Sequence, residues 1–488
     1  MKIFIANLPW KLSKNEYGVR AGSRWAHKRN KKRDLYYYPF PFFLAYATAV
    51  LEKEGYNVFL KDYLTLELTE EEFLNDLKEK KPDIFVAEVS TPSFKNDIAI
   101  CKKIKEVINC KIILCGPHVT VFPKETLKEY KFIDYILIGE YEYTLKELID
   151  KLINKKSIKN ILGLGYRDRG KIIFNKRRPL IQNLDELPFP ARHFLPMERY
   201  NDSFCRNYPC IQLISSRGCP YRCIFCLEPN VIYGNPGFRV RSAKNVVDEI
   251  AYVIEKYGAK EVYFDDASFT IGKQRVLEIC KEIKCRHLKI KWSCMADAIN
   301  PDEEMLREMS NAGCVAIKFG VESADEKILK NISKVTNLEK TKQVVKLCRK
   351  YGIKTHATYM FGLPGETKET IKKTINYALN LGTNSAQFSI AVPFPGTPFY
   401  NLAKKERWLT QENWEQFDGN RSYAINHPNL SKEELYAALI YAQNRFWKRL
   451  AFKPDEVFYF LKRTYNMEGF FKTLRISLEK IRWVLSKI

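Results

Sequence analysis

The 488-residue chain has no run of about 18 uncharged apolar residues, the least that crosses a bilayer as a helix. Its first ten residues, MKIFIANLPW, carry an early positive charge, but the apolar stretch behind it is too short for a secretory signal. They read instead as a first buried strand. No Gly-x-Gly-x-x-Gly follows that strand, which disfavours a nicotinamide dinucleotide. Acids are in short supply, 57 against 81 Lys and Arg, and the net charge is +24. A positive field of that size attracts nucleic acid, anionic head groups or acidic substrates alike. A composition rich in Lys, Glu and Ile, as in hyperthermophile proteins, produces the same charge with no partner at all. Thirteen cysteines without a secretion signal point to a reducing, cytoplasmic setting. Hydrophobic residues make up 45%, enough for real cores, and the length suits two or three domains of roughly 150 residues.

What is present is concentrated in one loop. Cys219, Cys223 and Cys226 stand in Ser216-Arg217-Gly218-Cys219-Pro220-Tyr221-Arg222-Cys223-Ile224-Phe225-Cys226, behind the apolar stretch Ile211 to Ile214. An odd triad this tightly spaced cannot pair with itself as disulfides, and a zinc site wants a fourth ligand close by. Three thiolates on one loop instead suit three irons of a [4Fe–4S] cube, leaving the fourth iron open.

From about 211 to 395 strands and helices alternate. Strands are expected at 211–216, 261–265, 289–296, 315–322, 354–362 and 385–392, with amphipathic helices between them. Ser242 reads as the cap of the first helix, and Pro301 stands at the start of the third. Six βα units imply a parallel sheet with helices outside, two units short of a full (β/α)8 barrel. Active residues belong at the carboxyl ends of such strands. Those ends carry Asp265-Asp266, Asp297, Phe319-Gly320-Val321-Glu322-Ser323, Gly362-Leu363-Pro364-Gly365-Glu366 and Pro393-Phe394-Pro395-Gly396. Each fragment alone is compatible with an ordinary turn, and paired Asp is also compatible with a divalent metal.

The cysteine triad, with Gly218, Pro220 and Phe225 around it and these strand ends behind it, resembles the radical S-adenosylmethionine (radical SAM) enzymes. The resemblance implies a [4Fe–4S] cluster on Cys219, Cys223 and Cys226, an open partial (β/α)6 barrel, and reductive cleavage of S-adenosylmethionine to a 5′-deoxyadenosyl radical. It implies that Phe225, Asp265, Asp266, Gly320, Glu322, Ser323 and Gly362 bind S-adenosylmethionine. An electron donor such as a ferredoxin or flavodoxin is expected with it.

Residues 1–155 show a further alternation, with strands near 2–6, 57–62, 83–88, 111–115 and 135–138. This reads as a doubly wound, flavodoxin-like sheet that takes ligands at its strand ends. The loops there hold Ser90-Thr91, Gly116-Pro117-His118 and Gly139-Glu140. The second and third resemble loops of the cobalamin-binding domains that precede radical SAM barrels, which makes cobalamin the expected ligand. The Asp-x-His-x-x-Gly run that supplies a histidine to cobalt in many cobalamin proteins is missing. A domain that has lost its ligand, a scaffold, remains the alternative.

Residues 11–41 form a long insertion, with Arg20, Arg24, Lys28, Arg29, Lys31, Lys32 and Arg33 beside Trp25 and Tyr36 to Tyr38. Loops this long are usually functional. This one is expected to cover the cofactor, to contact an anionic substrate or to be mobile. A hairpin near 163–172 and a proline-punctuated connector occupy 156–204, the barrel 205–428, and a helical, basic tail 429–488. The tail's last stretch, with Leu474, Leu478, Ile481 and Leu485 among basic residues, suits packing or an anionic membrane surface. His356 and most remaining cysteines read as core residues, with a second cluster at Cys205 and Cys210 the alternative; Arg239 and Arg241 suit an anion or a solvated loop.

Together these features and the resemblance predict a cobalamin-dependent radical SAM enzyme, expected to be a methyltransferase acting on a small-molecule, lipid-like or anionic substrate, with peripheral membrane contact and no nucleic acid. Cyclisation or rearrangement of a metabolite, peptide or tetrapyrrole without methyl transfer is the runner-up. A non-catalytic cobalamin or redox sensor is the third reading.

Overall fold

The structure, a computed structural model, describes residues 1–20, 26–30, 37–202, 204–234, 237–410, 413–419 and 424–451. The insertion residues Arg24, Trp25, Lys31, Lys32, Arg33 and Tyr36 lie outside the described residues, as does the tail beyond 451 with its basic amphipathic stretch. Among the described residues no helix is long and apolar enough to cross a membrane.

Two sheets organise the chain. The N-terminal sheet orders its strands Asn57–Asp62, Lys2–Asn7, Ile84–Glu88, Lys111–Cys115, Tyr135–Leu137, Leu164–Asp168 and Lys171–Phe174. The first five run parallel, with the order reversing between Lys2–Asn7 and Ile84–Glu88, as the doubly wound reading requires. Their near-continuous apolar runs, such as the wholly buried Ile84-Phe85-Val86-Ala87-Glu88, are what a parallel sheet covered on both faces demands. The expected hairpin forms, but it extends this sheet: Leu164–Asp168 pairs antiparallel with Tyr135–Leu137.

The second sheet is six-stranded and parallel throughout: Cys210–Leu213, Glu261–Phe264, Lys291–Ala296, Cys314–Glu322, Lys354–Phe361 and Ser385–Ile390, in chain order. Side-chain caps fix where its helices begin. Ser242 accepts from Asn245 N at 3.1 Å to open Ala243–Tyr257, and Gly258 closes it in the left-handed conformation. Asp302, next to the expected Pro301, caps Glu303–Asn311, while Asn337 and Thr367 cap Leu338–Lys350 and Lys368–Leu381. The first strand stops at Leu213 rather than Ser216, because Ser216–Cys219 turns back to pair antiparallel with Gly237–Val240.

The insertion is partly an antiparallel ribbon, Glu16–Arg20 against Ala26–Asn30. Arg20, expected among the charges facing a ligand, is instead buried in an ion pair with Asp97. The ribbon also meets the far end of the chain: Gly419 N donates to Ala26 O at 3.1 Å, and Lys28 N to Asp418 Oδ2 at 2.8 Å.

Candidate active site

The cysteine loop lies at the carboxyl end of the barrel. Gly218 there adopts φ +85°, and a Cβ on it would sit 2.3 Å from Gly237 O, so only glycine lets the two short strands approach. Backbone bonds then hold the loop: Cys226 N to Cys223 O (3.2 Å), Ile224 N to Ile332 O (3.1 Å) and Phe399 N to Ile224 O (3.0 Å). Asn230 Nδ2 donates to Cys226 O at 2.6 Å. Phe225 packs beside Ile224 on a cluster that includes Ile328, Ile332, Leu363 and Phe399. Cys226 donates to the Cys223 sulfur, which brings the Cys223 thiol down to about 7, while burial lifts Cys219 to about 11. A loop that fixes three thiols at the mouth of a barrel fits the three-cysteine donor set of an iron–sulfur cluster.

The acids nearby divide into two kinds. Asp266 is taken up by the chain itself, accepting from the Ser215 and Ser216 N–H groups at 2.7 Å each and from their hydroxyls at 2.6 and 3.0 Å. It shapes the turn that leads into the cysteine loop. Ser323 is likewise internal, fully buried, 3.3 Å from Thr374 Oγ1 and accepting from Asp325 N at 3.2 Å. Glu322 differs. It stands at φ +68° on a break in the ladder between Gly320 and Glu322, a conformation costly for a side-chain-bearing residue. Its carboxylate folds back so far that a Cβ on Gly320 would lie 2.0 Å from Oε1. Burial pushes the Glu322 carboxyl up, with the Lys334 charge pulling the other way.

Lys334 is the residue the sequence did not point to. Burial works against its charge, yet the negative groups of Glu322 and all three cysteines hold it above the usual lysine range. It follows the helix Glu326–Asn331 in a turn with no motif, and only the fold brings it to the thiols. A cation held in the field of these thiols and Glu322 is placed to attract an anionic group. The Gly362 turn completes this edge. Glu366 Oε2 accepts from Gly362 N at 2.5 Å and Leu363 N at 3.2 Å, and burial raises its carboxyl to about 8. His427 reaches Leu363 O at 3.0 Å and Asn429 Nδ2 reaches Glu366 O at 3.1 Å, bracing the turn from outside. Asp265 is buried at the end of the second strand, its N–H bonded to Leu213 O at 2.8 Å.

The N-terminal strand ends hold the other expected ligand residues. Ser90 and Ser93 hydroxyls lie 2.7 Å apart, and Thr91 Oγ1 is 3.3 Å from His118 Nδ1. His118 stacks on Phe94 at 3.8 Å between centroids, with Phe122 and Trp414 at 5.2 and 5.3 Å, and burial brings its pKa down to about 3. Gly116 at φ +100° has no room for a Cβ against Glu88 and Val89. Gly139 N donates to Thr120 Oγ1 at 3.1 Å. Small residues, hydroxyls and backbone N–H groups at the switch-point edge of a doubly wound sheet fit a large, flat cofactor carried mostly by contact.

Glu140, expected on the cofactor side, has its carboxylate taken by two arginines of the barrel. It pairs with Arg217 at 2.8 Å and Arg239 at 2.9 Å, while Arg217 also reaches Glu142 at 2.7 Å. All four side chains are less than a tenth exposed. Arg217 lies two residues before Cys219, so this network ties the cysteine loop to the N-terminal sheet. A methyl group added at Gly396 would meet Val121 at 2.6 Å and Val231 at 2.8 Å, and Trp414 covers His118. The carboxyl edges of the two sheets therefore face one another across one seam.

Comparison with known proteins agrees. The Radical SAM superfamily model matches residues 213–378 and the B12 binding domain model residues 33–149. Uncharacterized methyltransferase PH0819 of Pyrococcus horikoshii is 34% identical over 378 residues, 77% of this chain and 81% of that protein. Cytidylyl-2-hydroxyethylphosphonate methyltransferase of Streptomyces wedmorensis is 26% identical, covering 85% of this chain and 87% of its own length. An anaerobic magnesium-protoporphyrin IX monomethyl ester cyclase of Cereibacter sphaeroides is 29% identical over 74% of this chain and 60% of its own. Among solved structures, the radical S-adenosylmethionine methyltransferase TsrM of Kitasatospora setae, with tryptophan and a SAM analogue bound, superposes with TM-score 0.68 at 18% identity, over 92% of this chain and 89% of that one. The cobalamin-dependent radical enzyme OxsB also gives 0.68, at 17% identity, over 99% of this chain and 75% of that one. The chain belongs to the radical SAM superfamily, in the branch whose barrel follows a B12-binding domain.

Proposed function

We propose that this enzyme transfers a methyl group to an unactivated carbon of an anionic small molecule, and the facing of the two sheets' carboxyl edges carries that reading. When bound, the cluster supplies the electron that cleaves S-adenosylmethionine and cobalamin supplies the methyl group. Cys219, Cys223 and Cys226 would hold the cluster. Lys334 and Glu322 would hold the charged amino-acid end of S-adenosylmethionine, Lys334 through its carboxylate, with Asp265 close to the amino group. The Gly362–Glu366 turn would take the adenine against backbone. Ser90, Thr91, Gly116, His118 and Gly139 would line the cobalamin side, while Glu140 keeps that side in register with the cysteine loop. Aromatic and aliphatic packing at the seam excludes water, which protects a reactive intermediate. The net charge of +24 favours an anionic substrate, lipid-like ones included, and the reductant would be a small ferredoxin or flavodoxin.

Reconstituted protein, purified without oxygen, tests this. After incubation with hydroxocobalamin and desalting it should retain corrin absorption. Under reducing conditions with S-adenosylmethionine it should form 5′-deoxyadenosine and S-adenosylhomocysteine. Cleavage to 5′-deoxyadenosine without corrin retention would remove methyl transfer and favour cyclisation or rearrangement. Corrin retention with no cleavage at all would favour a sensor.

A further inference from the structure

The opposite, amino end of the barrel carries a side-chain cluster with no part in that chemistry. Cys205, Cys210 and Glu261 each place one ligand atom within 4.8 Å of the others, and all three are buried. Cys205 lies in the stretch just before the first barrel strand, Cys210 opens that strand and Glu261 opens the second. The carboxylate is held by four donors. Ser293 Oγ reaches Oε1 at 2.6 Å, while Arg206 N, Asn207 N and Asn207 Nδ2 reach Oε2 at 2.8, 2.9 and 3.0 Å. Oε1 therefore accepts one bond and keeps a second lone pair. Such outer hydrogen bonds are how proteins aim a carboxylate at a metal.

All three side chains lie away from solvent, Glu261 and Cys205 wholly so. Buried acids are ordinarily paired with a cation or bound to a metal. Two sulfurs and one oxygen form a soft donor set that selects zinc over magnesium or calcium.

We propose that Cys205, Cys210 and Glu261 bind one zinc ion at the floor of the barrel, with water as the fourth ligand and two thiol protons released to solvent as it binds. The ion clamps the stretch before the first strand onto the first two strands and plays no part in the radical chemistry. A disulfide or a second iron–sulfur cluster would need the same two cysteines and is distinguished by measurement.

The test uses the cluster-loaded protein, passed over a chelating resin and analysed for metals and by zinc K-edge X-ray absorption. We expect about one zinc beside about four irons per chain, with two sulfurs near 2.3 Å and light ligands near 2.0–2.2 Å. Cys205→Ser and Cys210→Ser should each lower zinc by about tenfold or more and leave iron unchanged. The wild-type spectrum decides the matter even if these variants fold poorly. Absence of zinc, a zinc spectrum with three sulfurs, loss of iron in Cys205→Ser, or a Cys205–Cys210 disulfide in the anaerobic protein would each overturn the proposal.

Discussion

The two sheets meet edge to edge, yet their edges are built in opposite ways. On the N-terminal edge polar side chains satisfy one another. Arg20 pairs with Asp97 and donates to Asn7 at 2.8 Å, Ser93 donates to Asp97 at 2.6 Å, and His118 sits under aromatic rings. On the barrel edge the thiols, Glu322 and Lys334 are left to lean on one another through charge. A closed network holds a shape, which suits a large cofactor bound by contact. A set of groups short of partners is where ligation and ionic recognition belong. The seam network of Glu140, Arg217, Glu142 and Arg239 joins the two styles.

The largest effect should follow from removing a ligand on the barrel edge. Cys223→Ala should lower iron from about four per chain to near none and 5′-deoxyadenosine formation by about a thousandfold or more; iron analysis and product assay check both. A Cys223→Ala protein with full cleavage would sink the assignment of the site. Next is the seam. Arg217→Met leaves buried carboxylates facing each other and should lower unfolding stability by about 3–5 kcal/mol in denaturant titration. Adding Glu142→Gln to it should restore part of that loss, because a neutral amide is cheaper to bury than an unpaired charge.

Lys334→Ala should raise KM for S-adenosylmethionine about ten- to a hundredfold, the worth of a charge-assisted bond, while iron content stays the same. A fall in iron instead would make Lys334 a partner of the cluster rather than of the cosubstrate. The smallest effect concerns pH on the N-terminal edge. Buried His118 has its pKa lowered to about 3, so the unfolded chain binds the proton first as pH falls below 6.5. Its stability contribution is complete above that value and is lost on acidification, by about 2 kcal/mol at pH 5. His118→Gln should flatten the acid side of the stability profile by that amount; an unchanged profile would mean the imidazole is solvated.

Local patterns carried most of the fold into view. Alternating apolar runs and capped helices marked all six barrel units, because each βα unit is decided by near neighbours. The loop chemistry of Cys219, Cys223 and Cys226 was legible for the same reason. What escaped was long-range. Glu140 and Arg217 are 77 residues apart, and nothing local announces their pairing. Lys334 was one lysine among many until the fold set it beside three thiols. Asp266 and Ser323 stood in the right fragments but face inward, since a strand end presents alternate residues to opposite sides. Arg20 misled in the same way: a basic loop residue looks solvent-facing unless its buried acid, here Asp97, is known.

The ties of Arg217 make the cysteine loop depend on the N-terminal half. Its guanidinium is neutralised by carboxylates of the N-terminal sheet, two positions ahead of the first iron ligand. A barrel produced without residues 1–155 would lack both those acids and the Phe43 and Tyr46 rings that cover the guanidinium, so the segment from Ser216 to Cys219 would lose that anchor. The cysteine loop thus takes part of its shape from the other half of the chain, through one arginine.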